Sequence, residues 1–64
     1  MKLRKVAGCK DGECPTAHLS DRGTVVLQGN AVVHGGVVRL GPGEQAVELP
    51  LDVVRSAIPA LEET

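Results

Sequence analysis

The sequence predicts an α+β domain: a small antiparallel sheet of three or four strands with one C-terminal helix on a face. Two observations carry this. Short β-branched runs recur between turn residues from Thr16 to Leu49, and helical spacing appears only after Pro50. The length adds a constraint. Sixty-four residues make one domain at most, and so short a chain buries only about 60% of the surface its unfolded form exposes. There is no Phe, Tyr or Trp, so the core must be built from Val, Leu, Ala and a single Ile. Such a domain calls for a metal, a disulfide, a partner or a second copy of itself.

The expected organisation is a polar arm and cysteine loop over 1–15, sheet over 16–49, helix over 50–58 and a tail over 59–64. Met1 to Val6 reads as an edge strand or a loose arm. Gly8, Asp11, Gly12 and Pro15 punctuate a loop, and Thr16 to Ser20 suits a strand or a turn. Ser20-Asp21-Arg22-Gly23 is a turn with a mechanism, since Ser and Asp bond nearby backbone and Gly23 accepts a positive φ. The run from Asp21 to Val33 is the one around which the sheet is expected to form. Thr24 to Gln28 reads as a strand, with Val25 and Leu27 on one face and Val26 on the other. Gly29-Asn30 suits a two-residue hairpin turn, and Ala31 to Val33 a short returning strand.

Val37 to Leu40 and Gln45 to Leu49 are expected to pair across the Gly41-Pro42-Gly43-Glu44 break. That register sets Arg39 opposite Glu48 and Leu40 opposite Val47. Pro50 suits the first turn of a helix, and Asp52 sits where the dipole favours a carboxylate. Leu51, Val54 and Ile58, with Ala57 alongside, form the expected inward stripe. Pro59 is expected to end the helix, because a residue before proline avoids the α region.

Seven basic and eight acidic residues leave a net charge of −1, which creates no strong field. Lys2, Arg4, Lys5 and Lys10 crowd one end, and Glu62 and Glu63 close the other; solvated ends account for both. No apolar run approaches the ~20 residues of a membrane span. Val6-Ala7-Gly8-Cys9 has the outline of a lipoprotein cleavage box but lacks the apolar segment of about 7–15 residues before it. The expected location is the cytoplasm, with no membrane partner. Nucleic acid is not expected to bind directly, since base-stacking aromatics and a basic recognition face are both missing.

Four side chains could ligate a metal: Cys9, Cys14, His18 and His34. Cys9, Cys14 and His18 fall in a C-x4-C-x3-H spacing, and thiolate with imidazole suits zinc. The spacing is longer than the usual C-x2-C. Free thiols and a reversible Cys9–Cys14 disulfide stand as alternatives, so no cofactor is the main expectation and zinc the alternative. Cys9, flanked by lysines, is expected to label faster than Cys14. Protection lifted by a chelator would mark zinc, and protection lifted by a reductant a disulfide. His18, Ser20 and Asp21 are hydrolase residue types, but four positions cannot converge as a triad. The glycine pairs lack the Lys-Ser/Thr of a phosphate loop. No enzyme is expected.

Cys14-Pro15-Thr16, then Asp21-Arg22-Gly23-Thr24-Val25-Val26-Leu27-Gln28-Gly29, then Val47-Glu48-Leu49-Pro50 resemble a family of short, functionally uncharacterised actinobacterial proteins. The likeness covers about Cys14 to Ile58. It implies an association with helix-turn-helix regulators through gene neighbourhood, and no catalytic residues. Relatives would carry an aromatic residue near position 18, which implies packing rather than ligation for His18. The expected function is therefore an interaction module, an accessory to a transcriptional regulator, with a zinc-stabilised binding domain as alternative. One helix covers only one sheet face. Val26, with Val33 or Val37, is expected to form the apolar patch that binds a partner or a second copy.

Overall fold

A computed structural model describes residues 1–9, 14–32 and 38–64. The order is β1 (Leu3–Ala7), β2 (Thr16–Ser20), β3 (Val25–Gln28), β4 (Asn30–Ala31), β5 (Val47–Glu48) and α1 (Leu51–Glu62). β1, β2 and β3 form an antiparallel sheet in that spatial order, and β4 and β5 form a separate two-stranded sheet. The α+β class with one C-terminal helix is as expected. Thr16 to Ser20 is not a turn but the central strand, and the N-terminal arm is its neighbour β1. The β3 run, from the stretch around which the chain was expected to be organised, lies at an edge.

β2 is central because both its neighbours reach it through short connections. The turn after it is built as the residue types require. Ser20 Oγ accepts from the Arg22 and Thr24 amides at 3.1 and 3.2 Å and shares a hydrogen bond with Thr24 Oγ1 at 2.6 Å. Gly23 takes φ 77°. On the other side Leu3 pairs with Ser20, Arg4 with Leu19, and Lys5 with His18. The register then slips around Val6, so that Ala7 meets Ala17. Such a bulge turns the strand and re-aims the residue after it.

Three alanines, Ala7, Ala17 and Ala57, make the buried hydrophobic core among the described residues, flanked by Val6, Val53 and Leu61. Small side chains let the helix backbone approach the sheet closely. Ala17 and Ala57 are each only 1% exposed.

Three local expectations are corrected. First, Gly29-Asn30 is no hairpin turn. β3 passes through Gly29 into β4, and β4 pairs with β5 instead of folding back. Gly29 serves a close approach: a Cβ there would run into the Glu48 carbonyl oxygen.

Second, Arg39 does not face Glu48. Val38, Arg39 and Leu40 lie outside any strand, and Val37 falls outside the described residues. Asn30 pairs with Glu48 and Ala31 with Val47, and the Val32 amide extends the ladder to Ala46 O at 2.9 Å. Closing the longer loop costs little more than closing the shorter one, because closure entropy grows only logarithmically. The shorter pairing therefore held no strong advantage. Gly41 to Glu44 is a turn, with the Glu44 amide on Gly41 O at 3.1 Å and its carboxylate on the Gly41 amide at 2.6 Å.

Third, the helix does not stop before Pro59 but runs to Glu62 with the proline inside. A proline there removes the amide that would bond the Arg55 carbonyl. Arg55 is exposed, so water can serve that carbonyl, and the added turn places Leu61 against the core. The inward stripe shifts accordingly. It is Val53, Ala57 and Leu61, while Leu51, Val54 and Ile58 stay exposed.

Candidate interaction surface

α1 packs chiefly on β1 and β2. Its direction follows from its two ends. Pro50, Asp52 and Val53 share a groove with Cys14 and Pro15, at the start of β2. Leu61 and Thr64 share a cavity with Leu19 and Ser20, at its end. The helix therefore runs along β2, on the face to which Ala17 points. Handedness then decides which flank is bare. A right-handed helix in this orientation turns Leu51, Val54 and Ile58 toward the β3 side.

The register supplies the floor beneath that flank. Leu19 pairs with Val25 and Ala17 with Leu27, so Val25 and Leu27 rise on the helix face of the sheet. They remain 44% and 45% exposed, and Leu51 on the facing flank is 70% exposed. The result is an apolar trough, with Val25 and Leu27 as floor and the Leu51, Val54 and Ile58 stripe as wall. At the hairpin end it opens into a cavity of about 480 Å³ that includes Leu19, Val25 and Leu61.

β3 also presents an open edge among the described residues. The Ser20 amide bonds Thr24 O at 2.9 Å, which fixes the alternation of the β2–β3 ladder. Val26 is then hydrogen-bonded to His18, while the N–H and C=O of Val25 and Leu27 point outward. The residues that floor the trough thus also offer backbone groups to an added strand.

The interaction residues named from the sequence fall differently. Val26 is half-buried and lies on the opposite face, across from His18; Val33 and Val37 lie outside the described residues. The greater exposure is on Val25 and Leu27. Alternation places Val25 and Leu27 on one face and Val26 on the other, as observed, but it carries no sign of which face the helix covers or that it packs chiefly on β1 and β2. The stripe at 51, 54 and 58 has a helical period, which by itself suits the inside, yet it lies exposed. What separates it from the true inward stripe is Ala57, whose small size permits close packing.

The candidate metal ligands are only partly brought together. Cys9 and Cys14 are joined as a disulfide, with 6.1 Å between their Cα atoms. His18 sits in mid-β2 between Lys5 and Val26, and His34 lies outside the described residues. Among the described residues no three His, Cys, Asp or Glu side chains converge on a metal position. Zinc ligation by these sulfurs would require the bond to be reduced. Ser20 and Asp21 serve the turn, with the Asp21 amide bonding Lys2 O at 3.0 Å. No helix among the described residues is long and apolar enough to cross a membrane. Protein-family models, curated proteins and solved structures yield no match to this chain.

Proposed function

We propose that the protein is a non-enzymatic, cytoplasmic interaction module that binds a protein partner, or a second copy of itself, through the β3 side of the sheet. The observation that carries this is the trough. Five apolar side chains from two elements stand exposed side by side on a domain whose core, among the described residues, holds only three buried alanines. Contiguous exposed apolar patches rimmed by polar residues often mark interaction sites. The open edge of β3 adds backbone groups that a bound strand would satisfy. The role as accessory to a transcriptional regulator is drawn from the resemblance in motifs, and no nucleic acid, membrane or cofactor enters the reading.

Sedimentation velocity across a wide concentration range tests the self-association form, with Leu27→Asp and Val26→Asp compared against the parent chain. The expected outcome is association that Leu27→Asp abolishes and Val26→Asp weakens less, with both variants folded. A parent chain that stays monomeric at high concentration removes self-association and leaves the partner form. Association unaffected by Leu27→Asp overturns the placement on this flank.

A further inference from the structure

We infer that the Cys9–Cys14 bond is a thiol–disulfide exchange site for a small thiol, with Cys9 as the sulfur attacked. This goes beyond the interaction reading and does not depend on it. The bond lies in a groove of about 330 Å³, between the β1–β2 connection and the first turn of α1, lined among others by Gly8, Pro15, Pro50 and Asp52. That space suits a small molecule better than a cysteine on a folded partner.

The two sulfurs are not equivalent. Cys9 is exposed and Cys14 half-buried. Lys5 donates through Nζ to the Cys9 carbonyl, which places a positive charge beside Cys9. Cys14 shares its groove with the N-terminal end of α1, whose Pro50 cap supplies no side-chain acceptor. Cys9 lines that groove too, so the helix N-terminus favours either sulfur as thiolate, and the greater exposure of Cys9 is what makes it the sulfur attacked and Cys14 the one that leaves. The Asp52 carboxylate in the same groove opposes this and disfavours anionic thiols.

The frame around the bond is fixed independently of it. Thr16 is 1% exposed and donates through Oγ1 to the Cys14 carbonyl at 2.6 Å. Gly8, at φ 126°, lies against Thr16 and Pro15 so closely that a Cβ would meet Thr16 Oγ1 at 2.7 Å. Ala7 pairs with Ala17 just beyond. These contacts hold both cysteine backbones near bridging distance after reduction, so the bond can close again.

The exchange balances as follows. A thiolate RS⁻ attacks Cys9 Sγ, the Cys9–Cys14 bond breaks, and Cys14 Sγ leaves as thiolate. A second RS⁻ attacks the sulfur of the R group, releasing RSSR and the Cys9 thiolate. The two protons of the two RSH molecules end on the two cysteines, and two electrons pass from the small thiol to the protein.

The test uses oxidised protein equilibrated with mixtures of reduced and oxidised glutathione, quenched by alkylation and read by peptide mass spectrometry. The expected result is a disulfide fraction that changes smoothly across the mixtures in folded protein, with glutathione adducts on Cys9 about tenfold over Cys14. Lys5→Gln should slow exchange several-fold without changing the circular dichroism spectrum. A bond that survives the most reducing mixture until the chain unfolds overturns the proposal. So do equal adducts on both sulfurs, or purified protein that carries two thiols and one zinc.

Discussion

The two sides of the three-stranded sheet are built from the same kind of residue and end differently. On the β1–β2 side, Ala7 and Ala17 meet Ala57 and the helix lies close. On the β3 side, Val25 and Leu27 are larger and more hydrophobic, yet stay exposed. Hydrophobicity alone would bury the second pair first. Close approach decides instead, because one helix can cover only the strands it can reach and the alanines let it come nearest there. The comparison teaches that in a chain this small the core is selected by size complementarity, and the bulkier residues are left for an external surface.

The sharpest way to break this comparison is to enlarge a residue on the covered side. Ala57→Leu adds bulk where the helix already touches two strands, and should cost about 2–3 kcal/mol. Chemical denaturation should show the midpoint falling with the slope unchanged. A neutral outcome would mean that the helix is free to rise from the sheet and that the two sides do not differ.

Gly29→Ala probes the junction where β3 leaves one sheet and β4 enters the other. The added Cβ meets the Glu48 carbonyl, so a loss of about 1–3 kcal/mol is expected. Amide exchange should rise first at Val32, which bonds Ala46, while β2 amides stay protected. Uniform loss of protection would show that the two sheets open as one unit.

Much of this was legible in the sequence, and the reasons differ from element to element. The Ser20 turn was readable because Ser, Asp and Gly carry their own local mechanism. The helix start was readable because Pro50 and Asp52 suit a first turn. Its end was not, since Pro59 lost to the burial that Leu61 provides one half-turn later. The β4–β5 pairing was not readable either. Gly29 looked like a turn residue, and only the approach of the Glu48 backbone shows why a side chain is excluded there. For the trough, alternation showed that Val25 and Leu27 share a face, but the side the helix leaves bare depends on tertiary placement.

Ser20→Ala sharpens the account of the hairpin that carries β3. It removes the acceptor for two amides and should cost about 1 kcal/mol, read as a small shift in melting temperature. A loss several times larger would mean that the hairpin turn, rather than the alanine contact, holds the sheet together.

The smallest stability effect is expected on the bare side. Ile58→Asp replaces an exposed residue and should change stability by less than about 0.5 kcal/mol, while weakening association through the trough. Pairing it with Ala57→Leu places the covered and bare sides one residue apart on the same helix. A destabilisation by Ile58→Asp equal to that of Ala57→Leu would show that Ile58 belongs to the core.

The most direct test of the central claim is a methyl spectrum followed by nuclear magnetic resonance, recorded from dilute to concentrated protein and then with a candidate partner. The expected result is that the methyls of Val25, Leu27, Val54 and Ile58 shift or broaden together, while those of Ala17, Val53 and Ala57 stay in place. Perturbation centred on Val26 and the His18 face, with Val25, Leu27, Val54 and Ile58 silent, would contradict it.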